Sequence, residues 1–382
     1  MRRRTAVVGF SLVVGCGRGD ASPPAPTASA TTPAETWSFA PAAREDALTL
    51  PAPCSPMGPT LRGVVPRDAR LLGAANGVGE VVVATSSSGR ARLATMTMQS
   101  GLAPAEAWTD GPGLAAPLAV GSPWMLAGTS ADGTRLALRR GPAHPIEELT
   151  QGEPLTLASA RSTDGRAAVL VRSETGALTA FLGTAGTPAG QWNRLAVDLP
   201  GAGARLASLV DVRADEIVVA VDRASDVVWE RIGARGSTTL GTLPFGGEVL
   251  AVALHEGRPT LLAATLGAIG GDGGTRLERA GMPTLILRGP IAARRGWLVP
   301  LEGGVLALWQ GEPGTGEASL VHAAAVNDGG AIGPVTAVGE ATDVSVASRG
   351  ERLDVWLRDG AVVRHASAIC QLTDRNPKEI SP

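Results

Sequence analysis

The sequence contains no tyrosine, a single lysine (Lys378) and few aromatic residues, which make up 3% of its 382 positions. An excess of either charge is also missing, because 36 Asp and Glu face 34 Lys and Arg and the formal net charge is −2. A chain without surplus positive charge has little to attract a phosphate backbone. We therefore expect no nucleic-acid partner.

Histidine is scarce, and nothing in the sequence marks an active site. The four histidines lie far apart in the chain, and no two have the spacing of metal ligands; they are His144, His255, His322 and His365. The sequence has no Gly-x-Ser-x-Gly motif. It predicts no catalytic residue, no metal and no cofactor, with a metal site assembled only in three dimensions as the alternative.

The N-terminus carries an export signal. Residues 2–4 are arginines, and the apolar run Thr5 to Val14 that follows is, at about ten residues, too short to span a bilayer as a stable anchor. The junction Val13-Val14-Gly15-Cys16 resembles the bacterial lipobox. This resemblance implies cleavage before Cys16 and a diacylglyceryl group on its thiol. We expect a lipoprotein signal peptide at residues 1–15, with an ordinary signal peptide that contains a cysteine as the alternative.

Residues 16–47 are rich in Ala, Pro, Ser and Thr and predict a flexible linker. Trp37 and Phe39 lie in this linker, either as isolated aromatic residues or as a small docking motif. Gly17, in place of an aspartate after the lipidated cysteine, is compatible with outer-membrane sorting by the rule known for enteric bacteria. We expect an exported chain that is attached to the outer membrane through the lipid on Cys16.

The other two cysteines, Cys54 and Cys370, lie near the two ends of the region that follows the linker. An exported chain meets an oxidising compartment, and no third thiol competes once Cys16 carries lipid. The sequence therefore predicts a Cys54–Cys370 disulfide. Two unpaired thiols are the alternative.

Residues 68–372 repeat one pattern seven times: an apolar run, a turn, a second apolar run, another turn and a third run. Some middle runs, such as Val81 to Ala84, are apolar at odd and even positions alike, which suits an inner strand that is covered on both faces. The middle runs begin 43 to 49 residues apart and are Glu80 to Thr85, Pro123 to Thr129, Arg166 to Arg172, Asp215 to Asp222, Arg258 to Leu266, Gly303 to Gln310 and Arg352 to Arg358.

This periodicity is typical of a β-propeller. We predict an all-β fold, a β-propeller with seven blades of antiparallel strands over residues 48–373, followed by a tail at 374–382. Six or eight blades are the alternatives. Because a circular fold must join its ends, we expect Thr60 to Val65 to add a strand to the last blade and the disulfide to close the ring.

Two turns share a Ser-x-Asp-Gly pattern, one at residues 130–133 and one at residues 162–165, and an apolar run follows each turn. In this respect the chain resembles bacterial β-propeller lipoproteins, with a similarity to the turns of periplasmic Tol-type propellers. The resemblance implies a propeller in the cell envelope.

Acidic and glycine-rich turns offer candidate chemistry. The densest acidic stretch could bind calcium or supply a general acid and a general base, but we expect its residues to lie in solvent-exposed turns. It comprises Asp211, Asp215, Glu216, Asp222 and Asp226. Gly270 to Gly274 predicts a turn that closes a hairpin or a mobile loop rather than a metal or phosphate site.

The tryptophans divide between predicted strands and connectors. We expect those on strands to fill the core, with a ring that stacks on a sugar or peptide as the alternative. The strand set is Trp124, Trp297, Trp309 and Trp356, and Trp108 and Trp192 lie nearer connectors.

Taken together, these features predict a lipid-anchored envelope β-propeller that binds a partner, either a protein or a glycan, without catalysing a reaction. One alternative is a glycan-active enzyme that uses two loop carboxylates at one propeller mouth. The other is a purely structural spacer.

Overall fold

The computed structural model describes the greater part of the region predicted to fold. The described ranges are 39–64, 70–76, 80–87, 90–97, 101–102, 106–107, 118–120, 125–129, 135–140, 144–159, 165–199, 206–223, 225–245, 247–264, 274–287, 293–311 and 319–372. Cys16, the predicted signal peptide, most of the linker and the predicted tail lie outside them. So do Trp37, Trp108, Trp124 and Gly270 to Gly273.

Nearly all regular structure in these ranges is β-strand, because short runs of Val, Leu and Ala alternate with glycine-containing turns. The strands are β1 (Phe39–Pro41), β2 (Cys54–Pro56), β3 (Leu61–Val64), β4 (Arg70–Asn76), β5 (Glu80–Ser87), β6 (Arg90–Thr97), β7 (Gly101–Leu102), β8 (Glu106–Ala107), β9 (Leu118–Val120), β10 (Met125–Thr129), β11 (Arg135–Arg139), β12 (Glu147–Gln151), β13 (Glu153–Ser159), β14 (Arg166–Arg172), β15 (Leu178–Thr184), β16 (Asn193–Val197), β17 (Ala207–Val212), β18 (Glu216–Asp222), β19 (Asp226–Gly233), β20 (Gly236–Pro244), β21 (Glu248–His255), β22 (Arg258–Ala264), β23 (Thr275–Arg279), β24 (Leu285–Leu287), β25 (Arg295–Leu301), β26 (Gly304–Gln310), β27 (Ser319–Asn327), β28 (Thr336–Ala341), β29 (Asp343–Arg349), β30 (Arg352–Asp359) and β31 (Val362–Cys370). Two 3₁₀ helices span Arg44–Asp46 and Ala189–Gln191. The described residues include no helix long and apolar enough to cross a membrane.

Within the described ranges the strands form seven antiparallel sheets, numbered here as blades 1 to 7. Blades 1 to 6 contain β4–β8, β9–β12, β13–β16, β17–β20, β21–β24 and β25–β28, and blade 7 combines β29–β31 with β1–β3 from the start of the chain. The first strand of each blade contacts the first strand of the next, and β29 contacts β4. A closed circle of seven sheets is a seven-bladed β-propeller, so the predicted fold class is confirmed.

The seven predicted middle runs are the second strands of the blades, namely β5, β10, β14, β18, β22, β26 and β30. All residues of β26 are buried, and so are all residues of β18 except the first. A second strand pairs on both edges, and neighbouring blades cover both of its faces, which explains apolar residues at odd and even positions. The position nearest the axis belongs instead to the run that precedes each middle run.

The hydrophobic core lies between neighbouring blades. One cluster joins Leu170 of blade 3 to Val219 of blade 4, and another joins Leu262 of blade 5 to Val305 of blade 6. Each fully buried side chain of this size stabilises the fold by roughly 1.5–3 kcal/mol. Blade-to-blade packing is therefore the main force that holds the ring together.

Tryptophans fill these interfaces, as expected for the strand-borne set. Trp309 and Trp356 are completely buried, and so is Trp229, which was not among the tryptophans expected in the core. Trp192, near a connector, is also buried, and Trp297 is half-buried. The buried side chains cannot form a stacking surface for a sugar.

The folded part begins earlier than the predicted boundary at residue 48. Phe39–Pro41 pairs with β3, and the Phe39 ring meets Trp356 edge-on with ring centroids 6.2 Å apart. Leu48, at the predicted boundary, belongs to the core of blades 6 and 7. Residues 39–47 are therefore part of blade 7 and its surroundings rather than of the linker, because long-range contacts outweigh their Pro- and Ala-rich composition.

Candidate functional site

The two ends of the described chain meet in blade 7. β3 pairs antiparallel with β31, with Leu61 opposite His365 and Val64 opposite Val362, so the predicted closing strand is confirmed. Cys54 and Cys370 lie opposite each other on β2 and β31 with Cα atoms 4.0 Å apart, and their sulfur atoms are bonded. The predicted disulfide is therefore present, and it joins residues separated by 316 positions.

Residues 39–64, which we call the strap, also attach to blade 6. The Thr49 amide donates a 3.1 Å hydrogen bond to the Val338 carbonyl on β28, and the Leu48 amide donates one of 3.0 Å to Thr60 Oγ1 within the strap. Leu48 packs in the same cluster as Val338 and Leu357. The strap therefore fastens blade 6 to blade 7 in addition to closing the ring.

A groove of about 470 Å³ lies where the strap, blade 6 and blade 7 meet. This volume falls within the usual range for ligand sites. Three parts of the fold line this groove. The strap contributes Glu45, Asp46, Ala47, Thr49 and Arg62, blade 6 contributes Leu320 and residues 337–340, and blade 7 contributes Asp359, Val362 and Arg364. We call it the seam groove.

The seam groove holds four carboxylates and two guanidinium groups, a formal net charge of −2. Arg62 Nε lies 3.3 Å from Asp46 Oδ2, which neutralises one pair. Arg364 donates to the backbone carbonyl of Glu340 rather than to a carboxylate. Among the described residues, the carboxylates of Glu45, Glu340 and Asp359 have no hydrogen-bond or ion-pair partner, so the surface left open to a ligand is acidic.

The predicted acidic stretch in blade 4 does not join this groove. Asp211 Oδ2 accepts from Arg213 Nε at 2.9 Å, and Asp226 pairs with Arg223 at 3.0 Å. Asp222 accepts from the Leu206 amide, and Glu216 lies 3.7 Å from Arg231. Asp215 lies exposed at the turn before β18. These contacts stay within one blade. Asp215 is exposed, as expected of a solvated turn, but Asp222 is buried at the end of β18, so the expectation fails for that residue.

One histidine does lie in a polar cluster that the sequence spacing did not reveal. His255 and Glu256 at the β21–β22 turn meet Asp328 of blade 6, and their ligand atoms lie within 4.8 Å of one another. His255 Nε2 is 2.7 Å from Asp328 Oδ1. These three side chains are the described residues that could hold a metal ion together.

The same Asp328 oxygen also accepts from Arg279 Nη1 at 3.2 Å. Arg279 is 4% exposed; burial lowers the pKa of its guanidinium, and Asp328 opposes this effect. The Arg279 guanidinium already compensates part of the charge of the two carboxylates, and His255 hydrogen-bonds to one of them. The cluster therefore has a structural explanation as a polar link between blades 5 and 6.

A second buried network lies next to the disulfide in blade 7. Asp354 is fully buried and accepts from Arg352, Ser367 and His365, with a 3.0 Å separation to His365 Nε2. Burial raises the pKa of the Asp354 carboxyl, but these donors outweigh burial and leave it below its usual range. Burial lowers the pKa of His365. Its ring stacks on that of Trp356, with the ring centroids 3.8 Å apart.

Asp, His and Ser occur together here, but their geometry is not that of a catalytic triad. Ser367 and His365 bind the same oxygen of Asp354, whereas a triad uses opposite ring nitrogens of histidine for the serine and the carboxylate. Asp354 and His365 are closed off from substrate by burial. The network links β30 to β31 beneath the seam.

Comparisons with known proteins find only distant structural similarity. No family model matches the chain, and no curated protein matches its sequence. The WD40 domain of Toxoplasma gondii coronin is similar in structure, with a TM-score of 0.49, 11% identity, and coverage of 87% of this chain and 90% of that one. The β-propeller domain of the Trilobed protease of Pyrococcus furiosus has a TM-score of 0.48 and 10% identity, covering 82% and 98%.

A puromycin hydrolase gives a TM-score of 0.44 at 16% identity over 75% of this chain and 50% of that one. The chain spans about half the length of this hydrolase and 47% of a prolyl endopeptidase that it also matches. The chain is a seven-bladed β-propeller on the evidence of its own strand pairing.

Proposed function

We propose that this chain is a lipid-anchored β-propeller of the cell envelope that holds a protein partner in the seam groove. The groove is the observation that carries the proposal, because it is concave, of ligand-site volume and lined by three carboxylates without partners among the described residues. Rigid blades with variable edges bind many partners without a fixed motif, so a propeller suits this task.

The sequence ahead of the strap supports the location. A basic lead, a short apolar core and the Val13-Val14-Gly15-Cys16 junction favour lipid on Cys16. The Pro- and Ala-rich residues from Gly17 to Glu35 would then hold the propeller off the membrane as a semi-extended tether. A binding module on such a tether can reach a partner in the envelope while it stays attached.

Glycan hydrolysis is the second candidate function, and the acidic lining of the groove is the observation that favours it. Hydrolysis needs one carboxyl group as acid and another as base or nucleophile, with their separation set by the mechanism. Asp46 is paired with Arg62, which leaves Glu45, Glu340 and Asp359 for such roles. Release of reducing sugar from envelope glycan by the purified protein, lost in Glu340→Gln, would favour the enzyme over the scaffold.

Site-specific photo-cross-linking in cells tests the scaffold proposal. A photo-reactive amino acid replaces Ala47, an exposed residue that lines the groove, and in a matched control it replaces Glu174, an exposed residue in the turn after β14. We expect a discrete cross-linked protein from position 47 and none from position 174. Identical products from both positions, or no product from position 47, would refute partner binding in the groove.

A further inference from the structure

Apolar side chains line the seam groove beside its carboxylates. Leu320 and Val362 are half-buried, and the carboxylates of Glu45 and Glu340 belong to exposed residues of the same lining. A lysine or arginine side chain has the complementary construction, with an apolar stem and a charged tip. Leu320 and Val362 would contact the stem while the carboxylates bind the tip.

The backbone of the groove excludes another common mode of peptide binding. β28 is the last strand of blade 6, and an exposed edge strand can accept a peptide as an additional strand. Here the Val338 carbonyl already accepts from the Thr49 amide, and the Glu340 carbonyl accepts from Arg364. A peptide strand would have to displace both donors, so recognition must rely on side chains.

From these contacts we propose that the seam groove recognises lysine or arginine side chains of the protein partner. This inference rests on the proposed function and adds the chemistry of the ligand. Glu45, Glu340 and Asp359 are the binding groups, because no described residue pairs with their carboxylates. Asp46 compensates the charge of Arg62, whereas Arg364 keeps its positive charge, so the three open carboxylates still outnumber the uncompensated cation.

The strap makes the site conditional on the closed ring. Glu45 reaches the groove only while the strap lies between blades 6 and 7, and the strap is held by β3, by Thr49 and by the disulfide. Losing the disulfide alone leaves the other two attachments. We therefore expect reduction to weaken cation binding less than removal of the carboxylates does.

Binding of fluorescent hexalysine to the purified protein, with hexaglutamate as the opposite-charge probe, tests the inference by fluorescence anisotropy. The groove variant carries Glu45→Gln, Glu340→Gln and Asp359→Asn, which keep side-chain size and remove three charges. The matched control carries Glu174→Gln, Asp215→Asn and Glu302→Gln, which remove the same charge from exposed turns of other surfaces. Thermal unfolding of each variant verifies folding.

We expect hexalysine to bind the unaltered protein, the groove variant to lose about tenfold in affinity, and the control to stay within about twofold. Equal losses in both variants would overturn the inference, because they would show a response to net charge alone. Absence of hexalysine binding, or tighter binding of hexaglutamate, would overturn it as well. A cross-link from position 47 together with any of these results would leave the proposed function intact and reject only the cationic ligand.

Discussion

Gly304, the first residue of β26, shows how closely two strands approach at the core of blade 6. A Cβ atom on this residue would overlap the Val326 carbonyl oxygen and lie 2.9 Å from the Asn327 Cα. Both are backbone atoms and cannot rotate away. We expect Gly304→Ala to lower the free energy of unfolding by about 1–3 kcal/mol, measured by guanidinium denaturation.

Gly190 supplies the matched control for that change. It lies in the 3₁₀ helix Ala189–Gln191, and an added Cβ atom would meet nothing within 4 Å. Gly190→Ala should leave the free energy of unfolding within about 0.5 kcal/mol. Equal effects of the two substitutions would show that the close approach at Gly304 is not what the fold depends on.

His322 on β27 should make stability depend on pH. Its side chain is 4% exposed and stacks on Trp309, and burial lowers the pKa of its imidazole. As pH falls, the histidine therefore takes up a proton in the unfolded chain before it does so in the folded one. The contribution of neutral His322 to stability is fully present above its pKa in the unfolded chain, about 6.5, and is lost as pH drops through its pKa in the folded protein. We expect His322→Gln to flatten the loss of stability between pH 7.5 and pH 5.

Replacing a buried ring also lowers the free energy of unfolding at every pH. The quantity to compare between the two proteins is therefore the change in that free energy from pH 7.5 to pH 5. Part of the slope will remain, since burial lowers the pKa of His365 in the same direction. His144→Gln, in a half-exposed connector before β12, serves as the control and should keep the full slope. Parallel pH curves for the unaltered protein and His322→Gln would contradict the prediction.

Secondary structure elements differ in how far their sequence reveals them. The middle strands were predictable because burial on both faces favours apolar residues at odd and even positions alike, and β3 was predictable because a closed ring needs a strand from its other end. β1 was not, because three residues in a Pro- and Ala-rich segment carry no periodicity. Its place depends on Phe39 meeting Trp356, more than 300 positions away.

The disulfide between β2 and β31 is the strongest cross-link available to the strap. Closing a loop of 316 residues stabilises a fold by up to about 5 kcal/mol in the chain-entropy model. We expect the Cys54→Ala, Cys370→Ala variant to unfold at a lower guanidinium concentration than the oxidised protein. Both cysteines are also buried, so part of the loss will come from packing.

Reducing agent separates these two contributions. It should destabilise the unaltered protein by the cross-link effect alone and should not change the double-alanine variant. If the reduced and oxidised forms of the unaltered protein share one midpoint, strand pairing and core packing hold the seam without help from the disulfide.

At the scale of the whole molecule, the seam groove could not be predicted from sequence order. Its charged groups come from positions between 45 and 364, and each looks like an ordinary exposed residue in its own segment. The same holds for His255 and Asp328, which are 73 positions apart yet hydrogen-bonded. Circular closure brings distant turns together, so the sites of a propeller depend on the three-dimensional arrangement of its blades.

The membrane attachment that we propose depends on one residue ahead of the propeller. A diacylglyceryl group on Cys16 would supply two acyl chains, which anchor a protein stably where a single chain gives marginal binding. We expect Cys16→Ser to move the protein from the membrane fraction to the soluble fraction and to remove the acyl mass from the mature chain. The measurements are cell fractionation and intact-mass analysis.

The Cys54→Ala, Cys370→Ala variant is the control, because it also removes cysteine but leaves the lipobox-like junction unchanged. It should remain in the membrane fraction with its acyl mass. Cys16→Ser protein that stays with the membrane and has a mature mass equal to the unaltered chain, apart from the substitution, would mean that no lipid was attached at Cys16. The tether would then belong to a secreted propeller, and membrane association would have to come from the bound partner.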